Sequence, residues 1–344
     1  MRKMVMTAGA MGAALVLAAC GSGTVGQSGP PGGDRNLAPE DMRFVNVVKL
    51  VGVGWFDRME QGVQEFAAGT GIDATQTGAD DASPEKQVKV IQDLIAQRPT
   101  AIGVVPNSPE ALEATLERAR DQGILVVTHE ASNQENVDAD VEAFDNRAYG
   151  AQIVEGLASC MGGSGQYAAF VGNLTAETHM EWVEGGLEHA RANHPGMQRV
   201  VDPIESKEDE SVAYERAKEL LATYPDLKGF QGSAGTDVAG IARAVQEAGL
   251  TDQVCVMGTS IPSVARKYLE DGSIDKIFFW DPAQAGKAMM TIAQRLASGE
   301  PVEQGTNLGI PGYESLTVSP TNPKAFYGDA AIEVDRSNID AYPF

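Results

Sequence analysis

Apolar positions along most of the chain switch between two spacings, and the switching predicts the architecture. From Val45 to Val51 the run Val-Asn-Val-Val-Lys-Leu-Val is apolar on both faces and rich in β-branched residues, as in a strand buried inside a parallel sheet. Gly52 and Gly54 then allow a tight turn, and Trp55, Phe56, Met59, Val63 and Phe66 recur at helical spacing. The strand, loop and helix cycle returns about every 25 residues, which predicts a parallel sheet with crossover helices. Strands are expected over Ile72 to Thr77, Ala101 to Val105, Ile124 to Thr128, Tyr167 to Val171, around Phe230, Val254 to Met257 and Ile277 to Trp280. Ser83-Pro84-Glu85 and Ser108-Pro109-Glu110 read as helix starts, with a serine cap, proline in the first turn and an acid beside the helix dipole. Asp281-Pro282 reads the same way. Two similar α/β halves, with late elements free to return to the first, suggest a bilobed molecule with a cleft.

The amino terminus carries a different pattern. Arg2 and Lys3 precede an apolar, small-residue stretch that ends in Leu17-Ala18-Ala19-Cys20, which resembles the bacterial lipobox. Residues 1–19 are therefore expected to be a lipoprotein signal peptide and Cys20 the lipidated new terminus, anchoring an exported protein at the outer face of the membrane or in the periplasm. Residues 20–42, dense in Gly, Ser and Pro, have flexible-linker composition.

Charge narrows the partners. The chain holds 26 Lys plus Arg against 48 Asp plus Glu, a formal net charge of −22. Such a field repels nucleic acid and anionic lipid. Of the other two cysteines, Cys160 closes a helical pattern and Cys255 lies in an apolar run, so both read as buried thiols; a bridge between them needs Cα atoms within about 7 Å, which the sequence leaves open.

Lys49 interrupts an apolar strand, and an ammonium is costly to bury without acceptors, so it should point into a polar cavity at the strand's carboxyl end. Trp55 and Phe56 stand where that strand hands over to a helix, the edge at which ligands bind in open α/β sheets. No Walker sequence is present. Gly162-Gly163-Ser164-Gly165 follows a helix, which fits helix termination better than phosphate binding. Gly232-Ser233-Ala234-Gly235 lacks the first glycine of a nucleophile elbow, because Gln231 stands there. None of His129, His179, His189 and His194 shows His-x-x-Glu-His spacing and no Cys-x-x-Cys is present, so neither a metal nor another cofactor is expected.

Lys49 to Phe56, the Ser-Pro-Glu helix starts, His194-Pro195-Gly196, Thr223 to Leu227, and Trp280-Asp281 with Gln284 and Gly286 together resemble periplasmic sugar-binding proteins, in the branch of autoinducer-binding and rhamnose-binding receptors. The resemblance runs from about Phe44 onward. It implies a type I periplasmic-binding fold with two Rossmann-like α/β lobes, residues 43–145 plus 281–310 and residues 146–280 plus 311–344. The lobes would be joined by three hinge crossings near Phe144 to Asn146, Phe279 to Asp281 and Gly309 to Gly312. It further implies a monomeric, non-enzymatic receptor that closes on its solute and hands it to a membrane ABC permease.

Matched position by position, the resemblance points to Lys49, Trp55, Phe56, Glu130, Trp280 and Asp281; Asn173, able to donate to a hydroxyl, and Thr178, His179, Ala234 and Ser260 complete the expected ligand-binding set. Autoinducer receptors carry an Asp-Gln pair where this chain has Thr178 and His179, and a proline where it has Gly232. A small neutral sugar or sugar alcohol of four to six carbons is therefore expected rather than the furanosyl signal. An autoinducer-like signal receptor is the alternative, and a secreted carbohydrate-active enzyme using Glu130 and Asp281 is the more distant one.

Overall fold

The computed structural model describes residues 37–344. Lipidation at Cys20, the signal peptide and most of the linker lie outside them. The first sheet is built from β1 (Arg43–Val48), β2 (Asp73–Gly78), β3 (Ala101–Val104), β4 (Leu125–Thr128) and β5 (Ala139–Glu142), interleaved with α1 (Gly54–Thr70), α2 (Pro84–Ile95) and α3 (Pro109–Asp121). The second contains β6 (Ser164–Val171), β7 (Gly196–Arg199), β8 (Ile204–Glu205), β9 (Leu227–Gly232), β10 (Cys255–Thr259) and β11 (Lys276–Phe279). Its helices are α4 (Asn146–Met161), α5 (Glu177–Asn193), α6 (Glu210–Thr223), α7 (Asp237–Glu247) and α8 (Pro262–Asp271). After β11 the chain returns to the first lobe as α9 (Pro282–Ala297), which packs on α1, and continues through β12 (Thr317–Val318) and β13 (Ala325–Tyr327). Finally β14 (Ile332–Val334) adds an antiparallel edge to β11.

The strand orders are β12-β13-β5-β4-β3-β1-β2 and β14-β11-β10-β9-β6-β7, with β8 paired to β6. Both sheets are parallel except at β12 and β14. This is the two-lobed, doubly wound arrangement of the type I periplasmic-binding fold, and it places the carboxyl ends of β1, β3 and β4 opposite those of β6, β9 and β10.

Local chemistry explains the helix starts. Ser83 and Ser108 accept from the backbone N–H groups of Lys86 and Ala111, and Asp281 accepts from Ala283, each satisfying a donor that the helix leaves free. Glycines set the closest contact: a Cβ on Gly62 would lie 1.9 Å from the Ala283 carbonyl oxygen, so α1 and α9 touch backbone to backbone.

Two expectations need correction. The chain leaves the first lobe for the last time at residues 328–331, not at Gly309 to Gly312, because β13 still pairs with β5. Residues 311–327 therefore belong to the first lobe. Gly309 and Gly312 have positive φ and do make a turn, but a turn's glycine says nothing about which sheet the chain joins next. Gly312 in fact packs against Ala330 of the passing segment, whose N–H reaches the carbonyl of Ala143 at the first crossing. Second, Cys160 and Cys255 form a disulfide with Cα atoms 6.2 Å apart, and Cys160 is exposed rather than buried. Their separation of 95 residues hid the bridge from any local pattern.

Candidate functional site

Buried amides fix the floor of the cleft. Gln87 on α2 donates to the carbonyls of Val48 (3.3 Å) and Val105 (2.8 Å) and accepts from Asn107 N–H (2.8 Å), while the Asn107 amide donates to Lys49 O (2.9 Å). The ends of β1 and β3 are thereby tied, and the Lys49 side chain is sent into the space between the lobes. Its Nζ lies 2.5 Å from Glu130 Oε2, 3.7 Å from Glu208 Oε1 and 3.3 Å from His179 Nε2. Glu130 and Glu208 both stand in the left-handed backbone region, with φ of 60° and 58°, a strained setting that residues retain where geometry is imposed by the surroundings. Burial works against the Lys49 ammonium, but Glu130, Glu208 and Glu142 more than compensate and hold its pKa above the usual value.

Hydrogen bonds assign the two buried histidines opposite duties. His129 Nδ1–H donates to Val141 O (2.5 Å) and Nε2 accepts from Trp280 Nε1–H (3.1 Å), so both ring nitrogens are committed to joining β4, β5 and the second crossing. His179 Nδ1 accepts from Gly172 N–H (3.1 Å), which leaves the proton of the neutral ring on Nε2. Burial, then Lys49, holds this histidine's pKa well below the ordinary value, so it is neutral. Its Nε2–H and the Lys49 ammonium are then two donors 3.3 Å apart, with Glu130 Oε2, already taken by Lys49, 3.8 Å from Nε2 and beyond hydrogen-bond reach. Close by, Glu208 Oε1 and Ser233 Oγ are buried with no hydrogen-bond partner among the described residues.

The cleft is nearly closed around a cavity of about 10 Å³, lined by Lys49, Glu130, His179, Glu208 and Ser233 together with Trp55, Phe56, Trp182, Gly235, Thr259 and Trp280. The indoles of Trp55 and Trp280 meet edge to face with centroids 4.7 Å apart, and Trp182 lies 5.7 Å from Trp280. Of the residues expected from sequence, Lys49, Trp55, Phe56, Glu130, His179 and Trp280 line this space. Asn173, Thr178, Ala234, Ser260 and Asp281 do not. Asn173 reaches across to Ala82 O (3.3 Å) and Ser260 Oγ holds Gly235 O (2.7 Å), supporting the walls instead. Thr178 is buried in the first turn of α5, and Ala234 N–H donates to Asp237 Oδ2 (2.8 Å).

Asp281 is taken by Arg58, which donates from Nε (2.9 Å) and Nη2 (2.7 Å), and by the cap of α9. The Glu130 and Asp281 pair of a carbohydrate-active enzyme is thus not assembled in the cleft. Nor is Ser233 activated, since its hydroxyl meets no base.

Glu208, Ser233, Trp182, Gly235 and Thr259 were not expected from sequence. Glu208 sits in the run Glu205-Ser-Lys-Glu-Asp-Glu210, whose composition is that of a solvated helix start, and no local signal separates it from its neighbours.

Burial pushes Glu208 up to about 7, with Lys49 opposing, and Asp237 up to about 6. A carboxyl whose folded pKa is raised stabilises the fold below its unfolded value and loses that contribution as pH rises through the folded value. The buried neutral histidines act in the opposite sense, so the test compares variants rather than absolute stabilities. Glu208→Gln should match the parent near pH 4 and gain on it by about 3 kcal/mol by pH 8. Urea unfolding at both pH values measures this, and a pH-independent difference would contradict the assignment.

Residues 44–301 match the model of the periplasmic binding protein domain. The chain is 25% identical to the D-allose-binding periplasmic protein of Escherichia coli, over 67% of this chain and 76% of that one. It is 24% identical to the xylitol-binding protein of Mycolicibacterium smegmatis, over 78% and 70%. Among solved structures it is similar to LsrB from Clostridium saccharobutylicum in complex with AI-2, with TM-score 0.82 and 21% identity over 88% of this chain and 100% of that one. A solute-binding protein from Clostridium phytofermentas with bound L-rhamnose gives TM-score 0.79 and 19% identity over 88% and 98%. No helix among the described residues is long and apolar enough to cross a membrane. The chain belongs to the periplasmic binding protein family, a family of receptors rather than enzymes.

Proposed function

We propose that the protein is the solute receptor of an ABC importer, tethered outside the cell membrane through Cys20, and that it captures a small neutral sugar or sugar alcohol between its lobes. One observation carries the ligand class: opposed donors on Lys49 and His179 stand beside orphaned oxygens on Glu208 and Ser233. A ligand hydroxyl both accepts and donates, so a polyhydroxylated molecule relieves both defects at once. The indole and phenyl faces of Trp55, Phe56 and Trp280 would cover its C–H groups.

The enclosed cavity is only about 10 Å³, room for about one water, so the lobes must part to admit a ligand and the ligand class rests on the polar groups rather than on size. Charge agrees with this class. Lys49 is the one Lys or Arg among the lining residues and faces two glutamates, an environment unfit for a phosphorylated sugar. Relatives named for D-allose, D-ribose/D-allose and xylitol support the same class. The disulfide suits export to an oxidising compartment.

The test is a thermal-shift panel of neutral monosaccharides, tetritols, pentitols and hexitols with the autoinducer included. A cognate ligand at about 100 times its Kd should add roughly 2.7 kcal/mol, raising the Tm by several degrees. A panel without a shift, or with conversion of any sugar to product, overturns the reading.

A further inference from the structure

Away from the cleft lining, α4 and α5 bring together three side chains that could hold a metal. His189 Nε2 lies 2.7 Å and His194 Nε2 2.8 Å from the same oxygen of Glu155, Oε2, and the two rings are 5.7 Å apart. Both histidines are about a quarter exposed and Glu155 about half. We propose that Glu155, His189 and His194 form a binding site for a zinc-like divalent transition ion.

The donor set is the argument for the ion. Two imidazole nitrogens and one carboxylate oxygen suit zinc and its first-row neighbours, and disfavour magnesium and calcium, which require oxygen ligands. Ligands of a tetrahedral ion at ~2.0 Å stand about 3.3 Å apart, so the Nε2 atoms need to retreat from Oε2 by only about half an ångström. Binding displaces the Nε2–H protons, and the neutral rings then carry their proton on Nδ1. For His189 the Asn193 amide nitrogen, which lies 3.2 Å from Nδ1, keeps its donation to His189 O (3.2 Å) and must swing clear of Nδ1, leaving Nδ1–H to water.

The frame beneath the site is rigid. A Cβ on Gly150 would stand 1.9 Å from Trp182 O, and one on Gly185 2.4 Å from Arg147 O, so α4 and α5 cross backbone to backbone and cannot slide. Glu155 and His189 also line an open groove with Gln152, Met257 and Phe278, which leaves a coordination position for water. The spacing of the two histidines hid the site: five residues apart, they share a face only because His194 caps α5 with a non-helical backbone, and Glu155 comes from another helix.

The experiment titrates the full chain, carrying Cys20→Ser so that no free thiol competes, with Zn²⁺ against a chromophoric chelator. One equivalent should bind, and His189→Ala, His194→Ala and Glu155→Gln should each weaken it by about tenfold or more. Co²⁺ in place of Zn²⁺ should give visible absorption of a four- or five-coordinate ion in the parent and lose it in the variants. Circular dichroism verifies that the variants, all on the surface, remain folded. No stoichiometric binding, or an affinity that the three substitutions leave unchanged, would overturn the site and leave an ordinary pair of histidine-carboxylate contacts. The carbohydrate shift is read on the same samples and bears only on the receptor function.

Discussion

Replacing Lys49 with methionine should destabilise the folded protein by about 3–5 kcal/mol and abolish the carbohydrate-induced thermal shift. The ammonium is buried against Glu130 and Glu208, and its removal strands two carboxylates in a site that water barely reaches. The cost comes from those uncompensated charges more than from the lost attraction. It follows that the penalty should be larger at pH 8 than at pH 5, because burial already pushes Glu208 up to about 7 and loss of Lys49 pushes it further. A second change separates charge from packing: adding Glu130→Gln to the methionine variant should restore part of the loss. Urea unfolding of the three proteins at both pH values is the measurement. A methionine variant within about 1 kcal/mol of the parent would mean that the lysine is not held as the geometry requires.

The double variant Cys160→Ser/Cys255→Ser should lose about 4–5 kcal/mol, from the entropy returned to the unfolded chain when a closure of 95 residues is opened. The bridge ties the last turn of α4 to the start of β10 and encloses much of the second lobe. Cys160 is exposed, so a reductant should reach it in the native protein and reproduce the variant's behaviour. Denaturant midpoints that coincide for oxidised, reduced and serine forms would show that the bridge contributes nothing.

The site was partly legible along the chain, and Lys49 shows why. A cation inside a strand buried on both faces has no cheap explanation other than a polar partner, so one residue type in one local setting announces a cavity. Trp55 and Trp280 were legible for a related reason, each standing where a strand ends and a helix begins. Asp281 misled because the same junction also needs a helix cap, and the carboxylate is spent on the α9 backbone and Arg58. Glu208 was invisible because its acidic neighbours make a solvated stretch of what is, at one position, a buried acceptor.

By itself the sequence determined the alternation of strands and helices, the helix caps at Ser83, Ser108 and Asp281, and the lysine at the end of β1. These are decided within a few residues, by side-chain periodicity and by backbone donors that a neighbouring oxygen satisfies. Only the tertiary structure decided which sheet β13 joins, that Cys160 meets Cys255, that Glu208 rather than Asp281 faces Lys49, and that Glu155 meets His189 and His194. Each of these depends on how helices and sheets pack across tens to hundreds of residues, where burial and backbone contact set the distances and local composition carries no record of them.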